Sequence, residues 1–412
     1  MNAVGIDISK GKSTIAVMQP FGVVVAEPFE VAHTESELNK LARFLKSLPG
    51  ETKVILENTG RYGDPVALYL HDAGIFVCTV NPILINRYDG KTTVRKVKTD
   101  KKDAVKIANW GLEHWLDLRE FIPEDDIRRM LKVYNRQYNQ LNKLKNAVKN
   151  NLISLLDNTF PNVNRLFTTP ARKTDGHEKW VDFALKFWHC ECVNNTSVKA
   201  FTEKYHNWCR KNGYNFSADK AFDIYAASCG NVGLFPKNDA TKHLIQSAIS
   251  QLNGIEETLA FYRNEMELLS SMLPEYETVR NLYGVGSLYC SQLIAEIGDL
   301  YRFESKKALV GFAGIDPPPN QSGTVDVHSR SISKRGSGDL RKTLFQIITV
   351  YIQKCPADEP VFQYLDKKRS EGKPYKVYMI AAANKFLRIY YAKVKQCLDN
   401  LENSAQSPLV NA

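Results

Sequence analysis

The chain has 412 residues, which is enough for two or three domains with buried cores. It carries 55 Lys and Arg against 45 Asp and Glu, and the net charge of +10 favours a polyanionic partner such as DNA or RNA. No apolar run approaches the ~20 residues of a membrane-spanning helix, so we expect no association with a membrane.

Residues 1–8 resemble a strand and not a secretory signal, which indicates an intracellular protein. We therefore expect its eight cysteines to be reduced. The tightest group is Cys190, Cys192, His206 and Cys209, whose spacing leaves zinc binding open. That spacing matches no common zinc pattern, and free cysteines are often simply buried. We therefore favour buried, metal-free cysteines over a zinc site.

The N-terminal part alternates strands and helices. Turn residues separate three apolar runs that predict a meander, and a capping box at Thr34–Glu37 opens the first helix. The predicted strands are 3–8, 13–18, 22–31, 53–57 and 74–80, and the predicted helices are 34–45, 62–71 and 99–114. The order βββαβαβα predicts an α/β, ribonuclease-H-like domain over residues 1–116.

The middle of the chain, residues 117–272, is predicted to be helical. Apolar residues recur at a 3.5-residue period over 125–157, which indicates coiled-coil-like pairing, and a second long helix at 239–271 can return antiparallel. Residues 162–236 form an insertion without a recognisable motif. The first long helix carries basic residues that suit a solvated face or nucleic-acid contact equally: Arg128, Arg129, Lys132, Arg136, Lys143, Lys145 and Lys149.

The C-terminal part, residues 273–412, is predicted to be mostly α-helical. Gly284-Val285-Gly286 precedes an apolar helix over 287–297, as in a helix-hairpin-helix-like element. The amides of Gly284 and Gly286 are candidates for holding a DNA phosphate. Residues 331–342 are rich in Ser, Gly, Lys and Arg, and two helices are predicted to close the fold.

Four carboxylates fall where this fold would bring them together. Asp7 lies in the first strand between two isoleucines that face the opposite way. Glu57 ends the fourth strand, which neighbours the first in a ribonuclease-H-like sheet. Asp100 and Asp103 lie on one face of the last N-terminal helix, which packs across the same sheet edge.

Such a cluster predicts a metal site, because neighbouring carboxylates repel one another unless a cation lies between them. Hard oxygen ligands suit Mg²⁺ or Mn²⁺, and two such ions can promote phosphoryl transfer. Four unrelated surface acids are the alternative, which their joint placement disfavours. The adjacent basic residues suit a phosphodiester substrate: Arg87, Lys91, Arg95, Lys96, Lys98, Lys101 and Lys102.

Several segments, taken in order, resemble the DEDD transposases of the insertion-sequence 110 family, also called bridge-RNA-guided recombinases. The N-terminal segments are Gly5–Lys10, Glu57–Tyr62, Val80–Pro82 and Lys98–Ala104. The C-terminal segments are Gly284–Gly286, Ala295–Asp299, Ala313–Pro317, Gln321–Gly323, Ser333–Gly336 and Leu340–Arg341. The resemblance covers roughly two thirds of the chain, and its specificity lies in the ordered set.

The resemblance implies a RuvC-like domain that holds metal through Asp7, Glu57, Asp100 and Asp103. It also implies that Ser322 is a nucleophile that joins transiently to cleaved DNA. It further implies a homo-oligomer, dimer or tetramer, with composite active sites, a structured guide RNA, and a bacterial or archaeal cytoplasm in contact with the nucleoid.

A serine beside Gly323 suits an exposed turn, and its hydroxyl needs activation by a base or a metal. Ser331, Ser333 and Ser337 are rival candidates. The basic residues that we expect to neutralise phosphate near Ser322 are Arg330, Lys334, Arg335 and Arg341.

Three other functions compete with a transposase or recombinase. A RuvC-like endonuclease, of the junction-resolving type, would use the same acids to activate water and would leave hydrolysed ends. An RNA-binding scaffold with a decayed catalytic domain is disfavoured, because all four acids are present. An actin-like ATPase would need a second phosphate-binding strand pair, whereas the C-terminal half has helical patterns.

Overall fold

The structure is a computed structural model. It describes the chain except for residues 59, 61, 89–98, 173–174, 232, 318–320, 323–324, 327–330 and 407–412, and it describes only the backbone of 321–322, 325–326 and 405–406. The chain divides into two compact units, Met1–Pro123 and Glu124–Ala412. Each buried hydrophobic cluster lies within one unit, with two clusters in each.

The first unit has the predicted strands and helices in order, with one short helix, Pro82–Arg87, in place of the first part of the predicted basic loop. Its elements are β1 (Asn2–Ser9), β2 (Lys12–Gln19), β3 (Val23–Ala32), α1 (Glu35–Ser47), β4 (Thr52–Glu57), α2 (Asp64–Asp72), β5 (Phe76–Val80), α3 (Pro82–Arg87) and α4 (Asp100–Glu113). Thr34 caps α1 as predicted, since its hydroxyl accepts a hydrogen bond from the Glu37 amide at 3.4 Å.

The five strands form one mixed sheet in the order β3-β2-β1-β4-β5. β1 pairs antiparallel with β2, and β2 pairs antiparallel with β3. β1 and β4 are parallel, as are β4 and β5. The predicted adjacency of the first and fourth strands is therefore confirmed.

Strand alternation gives the sheet two apolar faces. Val4 and Ile6 of β1 pack with the buried side chains of α1 and α2, including Leu41 and Leu70. The other face packs against α4, where Ala3 of β1 shares a core with the side chains of α4. The sheet is thus covered by helices on both sides.

Gly5 allows α4 to lie directly on β1. A Cβ at Gly5 would lie 2.0 Å from the Ala104 carbonyl oxygen and 2.5 Å from the Ala108 amide nitrogen, which are both backbone atoms. Only a residue without a side chain permits this approach. The position of α4, and of the acids at its start, depends on this contact.

Gly5→Ala is expected to lower the free energy of unfolding by about 3 kcal/mol, because backbone atoms of α4 must move to admit the methyl group. Urea unfolding of the full chain measures this change. The matched control is Gly254→Ala, since a Cβ there meets no atom within 4 Å. That substitution is expected to be neutral or to stabilise by up to about 1 kcal/mol. Equal effects of the two would contradict the assigned contact.

The second unit is mainly helical. Its elements are α5 (Asp126–Asp157), α6 (Lys179–Lys186), α7 (Glu191–Asn194), α8 (Val198–Lys211), α9 (Ala218–Gly230), α10 (Asp239–Ser271), α11 (Tyr276–Arg280), α12 (Ser287–Ile297), α13 (Lys306–Ala313), β6 (Gln321–Ser322), β7 (Val325–Asp326), α14 (Gly338–Lys354), α15 (Pro360–Ser370) and α16 (Tyr375–Gln406).

The long helices α5 and α10 pack antiparallel, as predicted. Leu131 near the start of α5 shares a core with Met266 near the end of α10. At the opposite end of the pair, Leu152 shares a second core with Ile245. Coiled-coil packing in the strict sense stays a prediction.

Two smaller groups of helices complete this unit. The insertion over 162–236 contains α6–α9, which bury Trp180, Trp188 and Trp208 in the second core. At the C-terminal end three helices, α14–α16, follow residue 337, so the expectation of two was wrong. α14 begins inside the Ser- and Gly-rich stretch, where the Ser337 hydroxyl caps it by accepting from the Leu340 amide at 3.1 Å.

Candidate active site

Asp7 and Glu57 lie side by side at one edge of the sheet. The paired residues of β1 and β4 run up to Ile6 opposite Leu56, and the next residue on each strand is Asp7 or Glu57. Neighbouring strands are about 4.8 Å apart. Both acids are half-buried, and each lies two residues after one that contacts α4, which places both side chains on the α4 face.

α4 directs its first turn toward the same edge. Beyond its other end, the Trp115 carbonyl accepts a hydrogen bond from Lys53 Nζ at 3.0 Å, near the beginning of β4. α4 therefore runs opposite to β4, and Asp100 and Asp103 in its first turn lie toward the strand ends that carry Asp7 and Glu57. Two acids in a first turn also complement the helix dipole.

These acids are suitable ligands for a hard divalent cation, both in chemistry and in backbone position. In the parts of the chain that the structure describes, no three His, Cys, Asp or Glu side chains are grouped closely enough to share one ion. Binding therefore requires side-chain rotation. Asp100 is exposed and the other three acids are half-buried, so such rotations are available.

The basic segment follows α3. Arg87 is the exposed last residue of α3, and the Tyr88 hydroxyl donates to Glu113 of α4. Burial raises the pKa of Tyr88 to about 12, and the hydrogen bond to Glu113 adds to this effect. Lys91, Arg95, Lys96 and Lys98, predicted to bind nucleic acid, lie outside the described residues.

Ser322 is the last residue of β6, and its backbone pairs with Val325 of β7. Its side chain lies outside the described part of the chain. The segment that contains it begins and ends in two stretches that hydrogen-bond to each other, Phe312–Asp316 and Ser333–Ser337. The Ser333 amide donates to the Asp316 carbonyl at 2.9 Å, and the Ser337 amide donates to the Phe312 carbonyl at 2.7 Å.

Glycines make this pairing close. A Cβ at Gly336 would lie 1.8 Å from the Phe312 carbonyl oxygen. Gly314 has φ +65° and ends α13. Arg341 reinforces the contact by donating to the Ala313 carbonyl at 2.9 Å. The two ends of the Ser322 segment are therefore held together by contacts between described residues.

Two of the rival serines have structural partners. The Ser333 hydroxyl donates to Asp316 at 2.6 Å, and the Ser337 hydroxyl donates to Glu296 at 2.8 Å while it caps α14. Ser331 is exposed. These hydrogen bonds favour Ser322 or Ser331 over Ser333 and Ser337.

A buried polar network behind this segment was not predicted. Asn135 of α5 is fully buried and donates to Glu296 of α12 at 2.9 Å. One turn later, Asn139 accepts from Lys342 of α14 at 3.0 Å. The signal available in the sequence was two asparagines, four residues apart, in an otherwise amphipathic helix.

The other predicted phosphate-binding residues differ in their surroundings. Lys334 and Arg335 are exposed, and the described residues offer neither of them an ion pair. Gly284 has φ +76°, and Gly286 immediately precedes α12, as predicted for a turn between helices. Arg330 lies outside the described residues.

The basic residues of α5 are mainly engaged within the protein. Five of the seven form ion pairs, for example Lys145 with the buried Glu256 at 2.6 Å. Arg136 and Lys143 are exposed, and no ion pair involves them in the described part of the chain. The structure therefore favours an intramolecular role for most of this set.

The cysteine group does not form a metal site. Cys190 and Cys209 are buried in the core of the insertion, and His206 packs against the Phe216 ring at a centroid distance of 4.6 Å. Burial raises the pKa of the Cys190 thiol to about 11, which disfavours a metal-binding thiolate. The expectation that the cysteines are simply buried is confirmed for Cys190 and Cys209, whereas Cys192 is half-buried and His206 is exposed.

Two further observations concern the secondary structure of the described residues. In the described part of Glu124–Ala412 the strands are β6 and β7, each of two residues, so the strand pair of an actin-like ATPase is not found there. Among the described helices, none has the length and apolar character needed to cross a membrane.

Comparisons with known proteins point to one family. A model of the DEDD transposases of insertion sequence 110, described as "Transposase", matches residues 4–161. A second, described as "Transposase IS116/IS110/IS902 family", matches residues 276–363. Together the two matches cover more than half of the chain.

Curated relatives agree with this assignment. The chain is 23% identical to the pilin gene-inverting protein of Moraxella lacunata over 83% of the chain and 80% of the relative. It is 24% identical to the 44.8 kDa protein of insertion element IS116 from Streptomyces clavuligerus over 95% of the chain and 94% of the relative. It is 29% identical to the transposase of insertion sequence element IS1111A from Coxiella burnetii over 27% of the chain and 30% of the relative.

The chain belongs to the insertion-sequence 110 family of transposases. It is therefore an enzyme that acts on DNA, in transposition or recombination. Membership of a DEDD family also suggests that a divalent metal ion is required.

Proposed function

We propose that the chain cleaves and exchanges DNA strands with Asp7, Glu57, Asp100 and Asp103 as ligands for Mg²⁺ or Mn²⁺. The observation that carries the proposal is the register of β1 and β4, which sets Asp7 beside Glu57. The strand order β3-β2-β1-β4-β5 supports a ribonuclease-H-like, RuvC-like fold for residues 1–116. When bound, the metal supplies charge stabilisation at the reacting phosphate.

The proposed nucleophile is Ser322 in the transposase domain, residues 273–412. Its hydroxyl loses a proton as its oxygen bonds to phosphorus, the bond from phosphorus to a bridging sugar oxygen breaks, and that sugar oxygen gains a proton. The paired stretches at the two ends of the segment support this role, because they limit the positions that Ser322 can take. Lys334, Arg335 and Arg341 are the proposed phosphate-binding residues beside it.

The remaining parts of the proposal rest on family membership. Composite active sites in a dimer or tetramer, and a structured guide RNA, are expected for a transposase of this family. Residues 117–272 are proposed as a helical spacer that links the two catalytic regions, with the insertion 162–236 as its aromatic extension. Oligomeric state and RNA guidance stay predictions.

Product analysis distinguishes this function from that of an endonuclease that uses activated water. The full chain, with RNA transcribed from the element's flanking sequence, is incubated with Mg²⁺ and end-labelled duplexes of the element ends and target. Strand exchange predicts joined products in which donor and target sequences are covalently linked. Hydrolysed ends without joined products, under conditions where cleavage is complete, would support the endonuclease instead.

A further inference from the structure

A fifth carboxylate lies in line with the candidate metal ligands. Glu30 of β3 is opposite Thr14 of β2, and Thr14 is opposite Asp7 of β1. Glu30, Thr14, Asp7 and Glu57 therefore form one row across the sheet. Glu30 is two strands from Asp7, about 10 Å, which is too far for the two to bind the same ion directly.

Glu30 holds a lysine at this edge of the sheet. Lys12 begins β2, two residues before Thr14 and on the same face, and its Nζ lies 2.8 Å from Glu30 Oε1. The hydrogen bond that Lys12 donates to Glu30 raises the pKa of Lys12, and the charges of Glu30 and then Asp100 add to this. The Lys12 ammonium therefore lies within the electrostatic range of an acid from α4 as well.

This ion pair is suited to exchange its partner. About half of each side chain is exposed, 50% for Lys12 and 55% for Glu30. Exposed ion pairs of this kind contribute little to folding, so Lys12 can leave Glu30 without unfolding the strand. A DNA phosphate that approaches an edge with five carboxylates also needs a cation to offset the repulsion.

We propose that Lys12 binds a non-bridging phosphate oxygen of the DNA, and that Glu30 holds Lys12 in place when no DNA is bound. This inference rests on the proposed function, since it requires DNA at the edge that carries Asp7 and Glu57. Lys12 is thus a substrate-binding residue, and Glu30 is a positioning residue that competes with the phosphate.

The two partners should have opposite effects on DNA binding. Lys12→Ala removes a charge-assisted hydrogen bond to phosphate, so the dissociation constant is expected to rise about tenfold. A plot of log affinity against log salt concentration should become less steep by about one, because one fewer phosphate is neutralised. Glu30→Gln releases Lys12, so binding should tighten by up to about fivefold. A role in folding alone would not produce opposite signs.

Fluorescence anisotropy of the full chain with a labelled mixed-sequence DNA duplex, over a series of salt concentrations, measures both effects. Adding Glu30→Gln to Lys12→Ala should not tighten DNA binding, because the tighter binding of Glu30→Gln depends on the released Lys12. The matched control is the exposed ion pair of Lys40 and Glu37 on α1, whose charged atoms are 2.7 Å apart. Lys40→Ala and Glu37→Gln should each leave the affinity for DNA unchanged.

Unchanged affinity and salt slope in Lys12→Ala would overturn the proposal, as would an equal gain from Glu30→Gln with and without Lys12. Binding is measured without cleavage, so the outcome is separate from that of the proposed function. If cleavage is independent of Asp7 but Lys12→Ala weakens binding, the proposed metal ligands are wrong and the DNA contact stands.

Discussion

Asp7→Asn is expected to lower the rate of DNA strand cleavage about a thousandfold while the melting temperature changes little. The amide keeps the size of the side chain but removes the charge that binds a divalent ion beside Glu57. Metal ions contribute several kcal/mol of charge stabilisation to phosphoryl transfer, and each 1.36 kcal/mol corresponds to a factor of ten. Single-turnover cleavage of an end-labelled duplex in Mg²⁺ measures the rate.

The control for this variant is Glu51→Gln. Glu51 directly precedes β4, at the opposite edge of the sheet from Glu57, and its side chain is 61% exposed. Loss of that charge should leave the cleavage rate within about twofold, since surface substitutions away from a site have small effects. A cleavage rate in Asp7→Asn within tenfold of the unchanged protein would rule out Asp7 as a metal ligand for this reaction.

Ser322→Ala is expected to abolish the covalent protein–DNA adduct and to reduce strand joining by at least about a thousandfold. The hydroxyl oxygen is the proposed attacking atom, and alanine has no group that can replace it. Denaturing gel electrophoresis of the full chain with labelled DNA reports the adduct directly. Binding of DNA should be unaffected, because the substitution changes no charge.

Ser333→Ala is the matched control, because Ser333 lies at the base of the same segment and its hydroxyl donates to Asp316 at 2.6 Å. It should retain the adduct, with at most a moderate loss of rate from a looser segment. Adduct that persists in Ser322→Ala would show that another residue attacks the phosphate. Ser331 would then be the next candidate, since it is exposed and close in sequence.

Local patterns predicted much of the fold, because the signals at element ends are short-range. Thr34 caps the start of α1, and Gly286 lies immediately before α12, both as the sequence indicated. The neighbouring positions of Asp7 and Glu57 were predictable from strand order alone. In a parallel pair, carboxyl-terminal residues of both strands reach the same edge.

Other features depend on which surfaces meet, and a single sequence does not specify this. The close approach of α4 to Gly5 required the packing of two backbones. The partners of the α5 cations lie far along the chain, as with Lys145 and Glu256. For the same reason the network around Glu296 was not predicted, since each helix alone gives no sign of a buried polar contact.

The edge formed by Asp7, Glu57, Asp100 and Asp103 is proposed to bind the divalent metal that serves DNA cleavage. Anomalous diffraction from crystals of the full chain grown with Mn²⁺ locates such an ion directly. We predict anomalous peaks within about 2.5 Å of carboxylate oxygens of Asp7 and Glu57, which are lost in Asp7→Asn crystals. Crystals saturated with Mn²⁺ that show no peak at this edge, or peaks only at other acids, would contradict metal binding by these four acids.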